Sequence, residues 1–241
     1  MDAGYGARYA DLYRRHWWWR ARETLLQREL DRCVGRSDTG HVLDFGCGDG
    51  LFFDVLRRYG TPHGIEPNAQ LLDPNGPWRA SISTVPIAFD ASQTARYRLI
   101  VALDVLEHIA EPEPVMLELA RRLEPGGWIV ATVPAFQSLW TAHDDLNHHV
   151  RRFRTAQLEA LVRTGGLEIV ESRYFFVWLA VAKWVVARAE AVLHPTPRSP
   201  GVPWAPINAA ALAVSRVEQA ILGRVRPPFG SSALVIARAP D

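Results

Sequence analysis

The chain has 241 residues, of which 48% are hydrophobic and 22% are charged, a composition typical of one globular α/β domain. Its 27 Lys and Arg residues balance 26 Asp and Glu residues, so it lacks the basic excess on which non-specific nucleic-acid binding depends. Collagen, low-complexity disorder and a disulfide scaffold are excluded. The two cysteines, Cys33 and Cys47, indicate a reducing compartment with free or buried thiols. They do not form a C-x-x-C motif, which excludes a zinc ribbon and a thioredoxin-type site.

The chain shows no pattern of a secretory or membrane-spanning segment. Residues 1–30 contain several arginines and no apolar h-region, so no signal peptide is predicted. The apolar run 174–193 is interrupted by Lys183, Arg188 and Glu190, and its charge-free stretches are too short to cross a bilayer. A cytoplasmic protein is therefore predicted. Lys183 is the only lysine and no Gly-Lys pair exists, which excludes a P-loop and disfavours Schiff-base chemistry.

The first predicted element is a helix over 8–33 that is rich in aromatic residues. Trp17, Trp18 and Trp19 are consecutive, and three consecutive side chains cannot share one face of a helix. At least one of them must therefore meet another segment, a ligand or water. The helix is either docked on a larger core or forms an aromatic lid over a pocket.

Strands and helices then alternate along the chain. Short apolar runs predict strands at 41–45, 62–65, 81–85, 99–103, 128–133, 167–170 and 233–237. Helical spacing and helix-ending residues predict helices at 51–59, 113–123 and 155–164. This alternation indicates a parallel sheet covered on both faces, and such sheets bind ligands at the carboxyl ends of their strands. The predicted parts are a helical lid over 1–35, a core over 40–172, a helical insertion over 173–230 and a last strand over 231–241.

The sequence VLDFGCGDG at 42–50 predicts a strand that ends in an acidic residue and leads into a glycine turn. Gly46 and Gly48 allow positive φ and let a ligand touch the backbone, and Gly50 permits close approach of helix and strand. Glu66 follows at the end of the next predicted strand, where a carboxylate can accept both hydroxyls of a ribose. The combination fits a ligand that contains a nucleoside.

The charges around the glycine turn distinguish between nucleoside ligands. A dinucleotide would need the spacing G-x-G-x-x-G and a helix N-terminus free for pyrophosphate. The spacing here is G-x-G-x-G, with Asp44 before the turn and Asp49 within it. Negative charge at this place repels phosphate and suits an ammonium or sulfonium group. A nicotinamide-dependent oxidoreductase and a non-catalytic binding protein remain as alternatives.

Four strings in this order resemble the class I S-adenosylmethionine-dependent methyltransferases: VLDFGCGDG at 42–50, GIEP at 64–67, ALDVLEHI at 102–109 and LEPGGWIVATVP at 123–134. HWWWRAR at 16–22 and HDDLNHHVRRF at 143–153 are similar to segments of one branch of that superfamily. The resemblance implies S-adenosyl-L-methionine as the cofactor. It also implies a three-layer, Rossmann-like α/β fold with strand order 3-2-1-4-5-7-6 and an antiparallel last strand.

The resemblance further implies which residues hold the cofactor. The methionine part is held by Asp44, Gly46, Cys47, Gly48 and Gly50. Glu66, which Pro67 follows, holds the ribose, and Leu103 and Asp104 line the opposite side. Arg22 pairs with the cofactor carboxylate, and one of the tryptophans, with Trp18 as the choice, covers it. The candidate adenine contacts are Ser83, Thr84 and Asp90.

Methyl transfer is an in-line displacement, in which alignment is the main task of the protein and no metal is needed in principle. A hydroxyl acceptor benefits from a general base, for which histidine has a suitable pKa. The segment after the fifth strand predicts His143 as this base, with His148 or His149 as alternatives. The segment can equally be a loop of salt-bridged and capping residues, and its spacing matches no established metal signature.

The acceptor site is predicted to include His108, His149, Arg152 and Phe176. Arg152 either binds an acidic substrate group or pairs with the acids of its own segment. The apolar insertion indicates a small, hydrophobic or lipid-like acceptor, although plain packing, a homodimer face or peripheral membrane contact suit it as well. No nucleic-acid partner is expected, because the charge is balanced and the fourth strand lacks the motif of amino-methylating DNA enzymes.

Overall fold

The computed structural model describes residues 3–85, 96–193, 201–223 and 225–241. Its helices are α1 (Ala3–Arg15), α2 (Trp17–Cys33), α3 (Phe53–Leu56), α4 (Pro112–Arg121), α5 (Ala142–Leu146), α6 (Thr155–Thr164), α7 (Val177–Leu193) and α8 (Ala205–Leu222). Its strands are β1 (His41–Phe45), β2 (Thr61–Ile65), β3 (Ile82–Ser83), β4 (Tyr97–Leu103), β5 (Leu123–Pro134), β6 (Glu168–Phe175) and β7 (Ser232–Arg238). Short 3-10 turns lie at Ala69–Leu71, Arg79–Ser81, Leu106–His108 and Gln137–Leu139.

The strands form one seven-stranded sheet in the order β3-β2-β1-β4-β5-β7-β6. Strands β1 to β5 run parallel, and β7 runs antiparallel to both β5 and β6. The predicted strand order and the antiparallel last strand are therefore confirmed. Asp44 in β1 is level with Gly64 in β2 and Val101 in β4, so the three strands end at the same edge of the sheet.

Helices cover both faces of the sheet and bury its apolar side chains. Leu43 belongs to a core with Met116 of α4 and Leu158 of α6, whereas Val42 belongs to a core with Leu26 of α2. Neighbouring residues of β1 thus point to opposite faces, and both are fully buried. Burial of each such side chain contributes about 1.5–3 kcal/mol, which fixes the sheet between the helical layers.

The single helix predicted over 8–33 is divided into α1 and α2 at His16. His16 has extended backbone angles, φ −76° and ψ 133°, and its ring Nδ1 accepts a hydrogen bond from the Trp18 amide at 3.1 Å. Asn208 of α8 holds the same break, since its Oδ1 accepts from the Trp17 amide at 2.9 Å and its Nδ2 donates to the Arg15 carbonyl at 2.8 Å. The helix divides because the backbone groups at the break find these partners.

Other predicted elements differ in length. Strand β3 contains only Ile82 and Ser83, and β6 continues to Phe175, inside the range predicted for the insertion. The helix predicted over 51–59 is reduced to α3, which contains four residues. Strand β5 begins at Leu123 rather than at 128, and it includes Gly126 at φ +67°. Glycine at this φ carries no steric cost, so the paired strand continues through residues that were predicted to end a helix.

The predicted insertion over 173–230 contains α7 and α8. Helix α8 packs along α2, where its Gln219 donates to the Ala21 carbonyl at 3.0 Å. Helix α7 has an outer face of exposed apolar side chains that includes Val181, Trp184 and Val185. Among the described residues, no helix combines the length and hydropathy needed to cross a membrane.

Candidate active site

A cavity of about 750 Å³ opens at the carboxyl ends of β1, β2 and β4. Its walls come from the loop after β1, the end of β2, the end of β4, both N-terminal helices, α5 and its following loop, α7 and the start of β7. This is the edge at which ligands bind parallel sheets, and it is the edge that the sequence predicts.

The glycine turn after β1 forms the floor of the cavity. Gly46 adopts φ +77°, and a Cβ at this position would overlap the side chain of Val105. Gly48 adopts φ +52°, lines the cavity, and would have no described atom within 4 Å of an added Cβ. The turn therefore needs glycine at Gly46 for packing and leaves open space against the backbone at Gly48, where a ligand can approach.

Glu66 lines the cavity next to this turn. Its Oε2 accepts from the Gly48 amide at 3.1 Å, and its Oε1 accepts from the Asn68 amide at 2.9 Å. These hydrogen bonds fix the carboxylate, and each oxygen keeps a lone pair for a ligand hydroxyl. Pro67 is exposed and is not part of the lining, so it contributes only to the backbone path.

The adenine contacts that the sequence proposes are not in the cavity wall. Ser83 and Thr84 do not line it, and Asp90 lies outside the described residues. The wall beyond Glu66 is instead made by Gln70, Leu71, Leu72 and Asp73. The segment after β2 thus provides the surface that the sequence analysis assigned to the segment after β3.

The glycine turn, Glu66 and the end of β4 form the predicted cofactor side of the cavity. An ion pair between Arg22 and Asp104 lies at this side. Arg22 Nη2 is 2.6 Å from Asp104 Oδ2 and donates to Thr132 Oγ1 at 3.1 Å. The guanidinium carbon lies 5.3 Å from the centroid of the Trp18 ring. Arg22 is therefore paired with Asp104 and does not line the cavity, whereas Leu103, Asp104 and Trp18 do.

Asp44 is buried and does not line the cavity, although the sequence predicts it as a cofactor contact, whereas Cys47 is partly buried and lies in the wall. Burial raises the pKa of Asp44 to about 7, while the Arg22 charge lowers it and the Glu66 charge raises it. Burial also raises the pKa of the Cys47 thiol, and the charges of Asp44 and Glu66 add to this effect. Cys47 lines the cavity, but a thiol held in its protonated form is a poor nucleophile.

The wall formed by α5 and the loop after it is the predicted acceptor side of the cavity. It is organised around Asp144, whose side chain is fully buried. Arg152 donates from Nε to Oδ1 and from Nη2 to Oδ2, both at 2.9 Å. His149 Nδ1 lies 2.8 Å from Oδ1. Burial raises the pKa of Asp144, but the hydrogen bond from His149 and the Arg152 charge outweigh it and hold this pKa well below its ordinary value.

The ionised Asp144 fixes the tautomer of His149. A carboxylate can only accept, so Nδ1 of His149 carries the proton and Nε2 is left with a lone pair. Both residues line the cavity, as does Arg152. Arg152 also donates to the Ala135 carbonyl at 3.0 Å. Its predicted pairing with an acid of its own segment is therefore present, and three of its five N–H groups donate to protein oxygens.

The other predicted acceptor-side residues differ in position. His143 lines the cavity, and burial lowers its pKa to about 4. His108 also lines it, and burial lowers its pKa to about 4 as well. His148 is exposed and lies outside the lining. Phe176 is fully buried and packs against Trp17, with ring centroids 6.2 Å apart, so it belongs to the core rather than to the wall.

Glu107 is a buried carboxyl group of the cavity wall whose two oxygens have no hydrogen-bond partner among the described residues. Burial raises its pKa well above the ordinary value, and the Asp104 charge adds to this effect. Glu107, His108 and His149 each bring one potential ligand atom to within 4.8 Å of the others. In the described part of the chain they are the group of side chains that could hold a metal ion.

Sequence reasoning missed two features of the wall. Lys183 of α7 reaches the cavity, although it stands in an apolar run, and Tyr9 of α1 lines it as well. A polar residue four positions after Leu179, which also lines the cavity, is the periodic signal that could have identified Lys183.

A family model described as "Methyltransferase domain" matches residues 18–172. A Mycolicibacterium smegmatis protein named as an S-adenosylmethionine-dependent methyltransferase is 29% identical over 163 residues, which cover 65% of this chain and 62% of that protein. A ubiquinone biosynthesis O-methyltransferase of Leptothrix cholodnii is 27% identical over 109 residues, which cover 42% of this chain and 46% of that protein. The chain therefore spans less than two thirds of the length of these relatives.

Solved structures share the fold. The methyltransferase in a complex with the Haloferax volcanii Trm112 methyltransferase activator has a TM-score of 0.60 and 17% identity, and the match covers 99% of this chain and 95% of that chain. A sarcosine dimethylglycine methyltransferase structure from Galdieria sulphuraria has a TM-score of 0.55 and 16% identity, covering 92% of this chain and 86% of that chain.

Proposed function

Because this chain belongs to the methyltransferase domain family, within the class I S-adenosylmethionine-dependent superfamily, we propose that it transfers a methyl group to a hydroxyl of a small, apolar acceptor. The observation that carries the proposal is a single cavity with a glycine turn and Glu66 on one side and an ordered Asp144–His149 pair on the other. The relatives named as ubiquinone biosynthesis O-methyltransferases support an oxygen acceptor.

The residues of the cofactor side fit S-adenosylmethionine. The open space at Gly48 can receive a ligand close to the backbone, and the fixed carboxylate of Glu66 can accept from ribose hydroxyls. Asp49 adds negative charge to the wall, which favours a sulfonium over a phosphate. When bound, this cofactor supplies an electrophilic methyl group on a positively charged sulfur.

His149 is the general base of the proposed reaction. Its Nδ1–H donates to Asp144, so the lone pair on Nε2 is free to accept the proton of an acceptor hydroxyl. As the oxygen forms its bond to the methyl group, the proton moves to Nε2 and the charge of the imidazolium is balanced by Asp144. Arg152 acts as a positioning residue, because it holds both oxygens of Asp144.

We assign His149 to proton transfer rather than to a metal because Asp144 holds its Nδ1–H in the orientation of a general base, and in-line methyl transfer needs no metal in principle. The apolar acceptor is supported by the aromatic and aliphatic wall, which includes Trp17, Trp19 and Leu179. Exposed apolar side chains of α7 and α8 leave peripheral membrane contact or a homodimer as further predictions.

Calorimetry with S-adenosylmethionine, S-adenosylhomocysteine and a reduced nicotinamide dinucleotide tests the cofactor. We expect both sulfur ligands to bind and the dinucleotide not to bind. Binding of the dinucleotide alone would instead support the oxidoreductase alternative. Transfer of labelled methyl groups to a panel of alkyl-substituted phenols and catechols then tests turnover, and cofactor binding without transfer to any member would favour the non-catalytic alternative.

Two matched variants test the base. His149→Asn keeps a donor for Asp144 but removes the base, and we expect kcat to fall about 100-fold or more with little change in cofactor affinity. His148→Asn is the control, because His148 is exposed at φ +57°, a conformation that asparagine tolerates. Equal loss in both variants would contradict the assignment. Loss of wild-type activity in a chelator, with recovery on adding a divalent cation, would reassign Glu107, His108 and His149 to a metal.

A further inference from the structure

The cavity contains the only lysine of the chain, and the cofactor motifs do not account for it. Lys183 lies four residues after Leu179 on α7, and both side chains line the cavity. Glu190 of the same helix accepts from the Ala142 amide at 2.7 Å, which fixes α7 against the start of α5. The opposite side of α7 is exposed, as Val181 and Trp184 show. The helix thus directs its lysine inward, next to the residues of the acceptor side.

The acids near Lys183 are committed to other partners. Asp144 is bound by Arg152 and His149, and Asp104 is paired with Arg22 at 2.6 Å. Glu190 accepts from the Ala142 amide. In the described parts of the chain, Lys183 forms no ion pair within 4.0 Å and no hydrogen bond. A buried ammonium group without a counter-ion is energetically costly. An anionic ligand that enters the cavity would supply the missing counter-ion and accept a charge-assisted hydrogen bond.

The groups around Lys183 leave its ammonium form dominant near neutral pH. The pKa of Lys183 is lowered to about 8, chiefly by burial and also by the Arg152 charge, although the charges of Asp144, Asp104 and Glu190 act in the opposite direction. The Lys183 charge in turn contributes to the lowered pKa of His143, after burial. At pH 7 about nine tenths of such a group is protonated, so the cavity offers a cation rather than a free amine.

Resting on the proposed methyl transfer, we propose that the Lys183 ammonium binds an anionic oxygen group of the acceptor, a carboxylate or a phosphate, next to an apolar body that contacts Leu179 and Trp17. Arg152 does not serve this purpose, because its charge is already paired with the buried carboxylate of Asp144, whereas the Lys183 ammonium has no such partner among the described residues. The acceptor class is therefore a hydroxylated, mainly apolar organic acid. Lys183 is a substrate-binding residue that sets specificity, and His149 retains the proton-transfer role.

The single lysine allows a direct measurement without turnover. Reductive methylation of the full chain with ¹³C-formaldehyde labels Lys183 and the terminal amine, and Lys183→Gln identifies the side-chain signal. The probes are 3-(3,4-dihydroxyphenyl)propanoate, its carboxamide and the corresponding alkyl phosphate, added with S-adenosylhomocysteine. We expect the carboxylate or the phosphate to raise the pKa of the Lys183 signal by about one unit or more and the carboxamide to leave it unchanged. If only one of the two anionic probes raises the pKa of Lys183, that probe shows whether the site prefers a carboxylate or a phosphate.

Kinetics with the same probes tests specificity. For Lys183→Gln we expect the KM of the preferred acid to rise about 10- to 100-fold, with kcat within about threefold and the carboxamide unaffected. Lys183→Arg should recover most of the affinity. Arg188→Gln is the matched control, because Arg188 is an exposed cation of the same helix and lies over Trp184.

Several outcomes would overturn the proposal. Equal KM changes for the acid and the carboxamide, or a loss of kcat for both, would assign Lys183 to packing or to the reacting hydroxyl. An unchanged signal in the presence of all three probes would also overturn it. Failure of the proposed function is distinguishable, because absence of methyl transfer with a shifted Lys183 signal would leave an anion site in a protein that is not a methyltransferase for these probes.

Discussion

The surroundings of single residues decide their protonation state. Asp144, which lines the cavity, is ionised because Arg152 and His149 bind it. Burial raises the pKa of Asp44, which does not line the cavity, to about 7. These two aspartates therefore differ in charge at neutral pH because only Asp144 has hydrogen-bonded partners that favour its ionised form. The sequence identified both positions, but it contained no information on which one would be buried without a partner.

Asp44 leads to a prediction about pH. Its folded-state pKa of about 7 lies above the ordinary value of 3.8, so the folded state binds the proton more tightly than the unfolded state does. The contribution of Asp44 to stability is therefore largest below about pH 4 and is lost as the pH rises to about 7. We expect Asp44→Asn to unfold at a higher temperature than the wild type at pH 8 and to bind S-adenosylmethionine more weakly.

The measurement is thermal unfolding of both proteins between pH 4 and pH 8. The difference between them should grow across this range, because the asparagine does not ionise. Asp54→Asn is the control, since Asp54 is an exposed aspartate of α3. A constant difference between wild type and Asp44→Asn over the whole range would contradict the assignment of a raised pKa.

At the scale of elements, the two glycines of the turn between β1 and α3 are needed for different reasons, one for packing and the other for ligand binding. Gly46 and Gly48 both have positive φ, but a side chain at Gly46 would overlap Val105, whereas one at Gly48 would enter open space in the cavity. The motif predicted that the glycines matter. The sequence did not show that the two glycines are needed for different reasons. The packing requirement at Gly46 arises from Val105, which lies in the loop after β4.

Two alanine variants test this difference. Gly46→Ala should destabilise the fold by more than about 2 kcal/mol, because it adds steric overlap to backbone strain. Gly48→Ala should cost only about 1–2 kcal/mol from backbone strain, yet its methyl group should block the cofactor. Denaturant unfolding and calorimetry measure the two effects. A Gly48→Ala protein with wild-type affinity for S-adenosylhomocysteine would contradict the proposed cofactor position.

At the scale of the whole molecule, the insertion before the last strand closes the cavity from two directions. Helix α7 contributes Leu179 and Lys183 to the wall, and α8 holds the junction of the two N-terminal helices through Asn208. The N-terminal helices contribute Tyr9 and Trp18 to the same wall. Segments almost 200 residues apart thus depend on each other for the shape of the site.

Asn208→Ala tests this dependence. Losing two hydrogen bonds at about 1 kcal/mol each should loosen α1 at its junction with α2. We expect faster hydrogen exchange in α1 and faster release of S-adenosylhomocysteine. Gln219→Ala is the control, because Gln219 binds the Ala21 carbonyl one turn further along α2 and should reduce stability without changing exchange in α1. Equal exchange in the two variants would show that Asn208 does not fix the junction.

The sequence by itself determined the alternation of strands and helices, the glycine turn after β1 and the edge at which ligands bind. These features follow from contiguous residues, because apolar runs and positive-φ glycines act through the local backbone. The order of the strands came from the resemblance to the methyltransferase superfamily, and the structure confirms it. The break at His16 was not predicted, because one of its partners, Asn208, comes from a distant helix.

Only the tertiary structure decided which side chains share the cavity. The sequence predicted His143 as the base, with His148 or His149 as alternatives. The hydrogen bond to Asp144, which Arg152 also holds, separates His149 from the other two. Arg22 pairs with Asp104, and Lys183 reaches the wall from a helix that the sequence described as apolar. Spacing along the chain fixes the element that carries a residue, but the packing of remote elements fixes its direction, its burial and its charge.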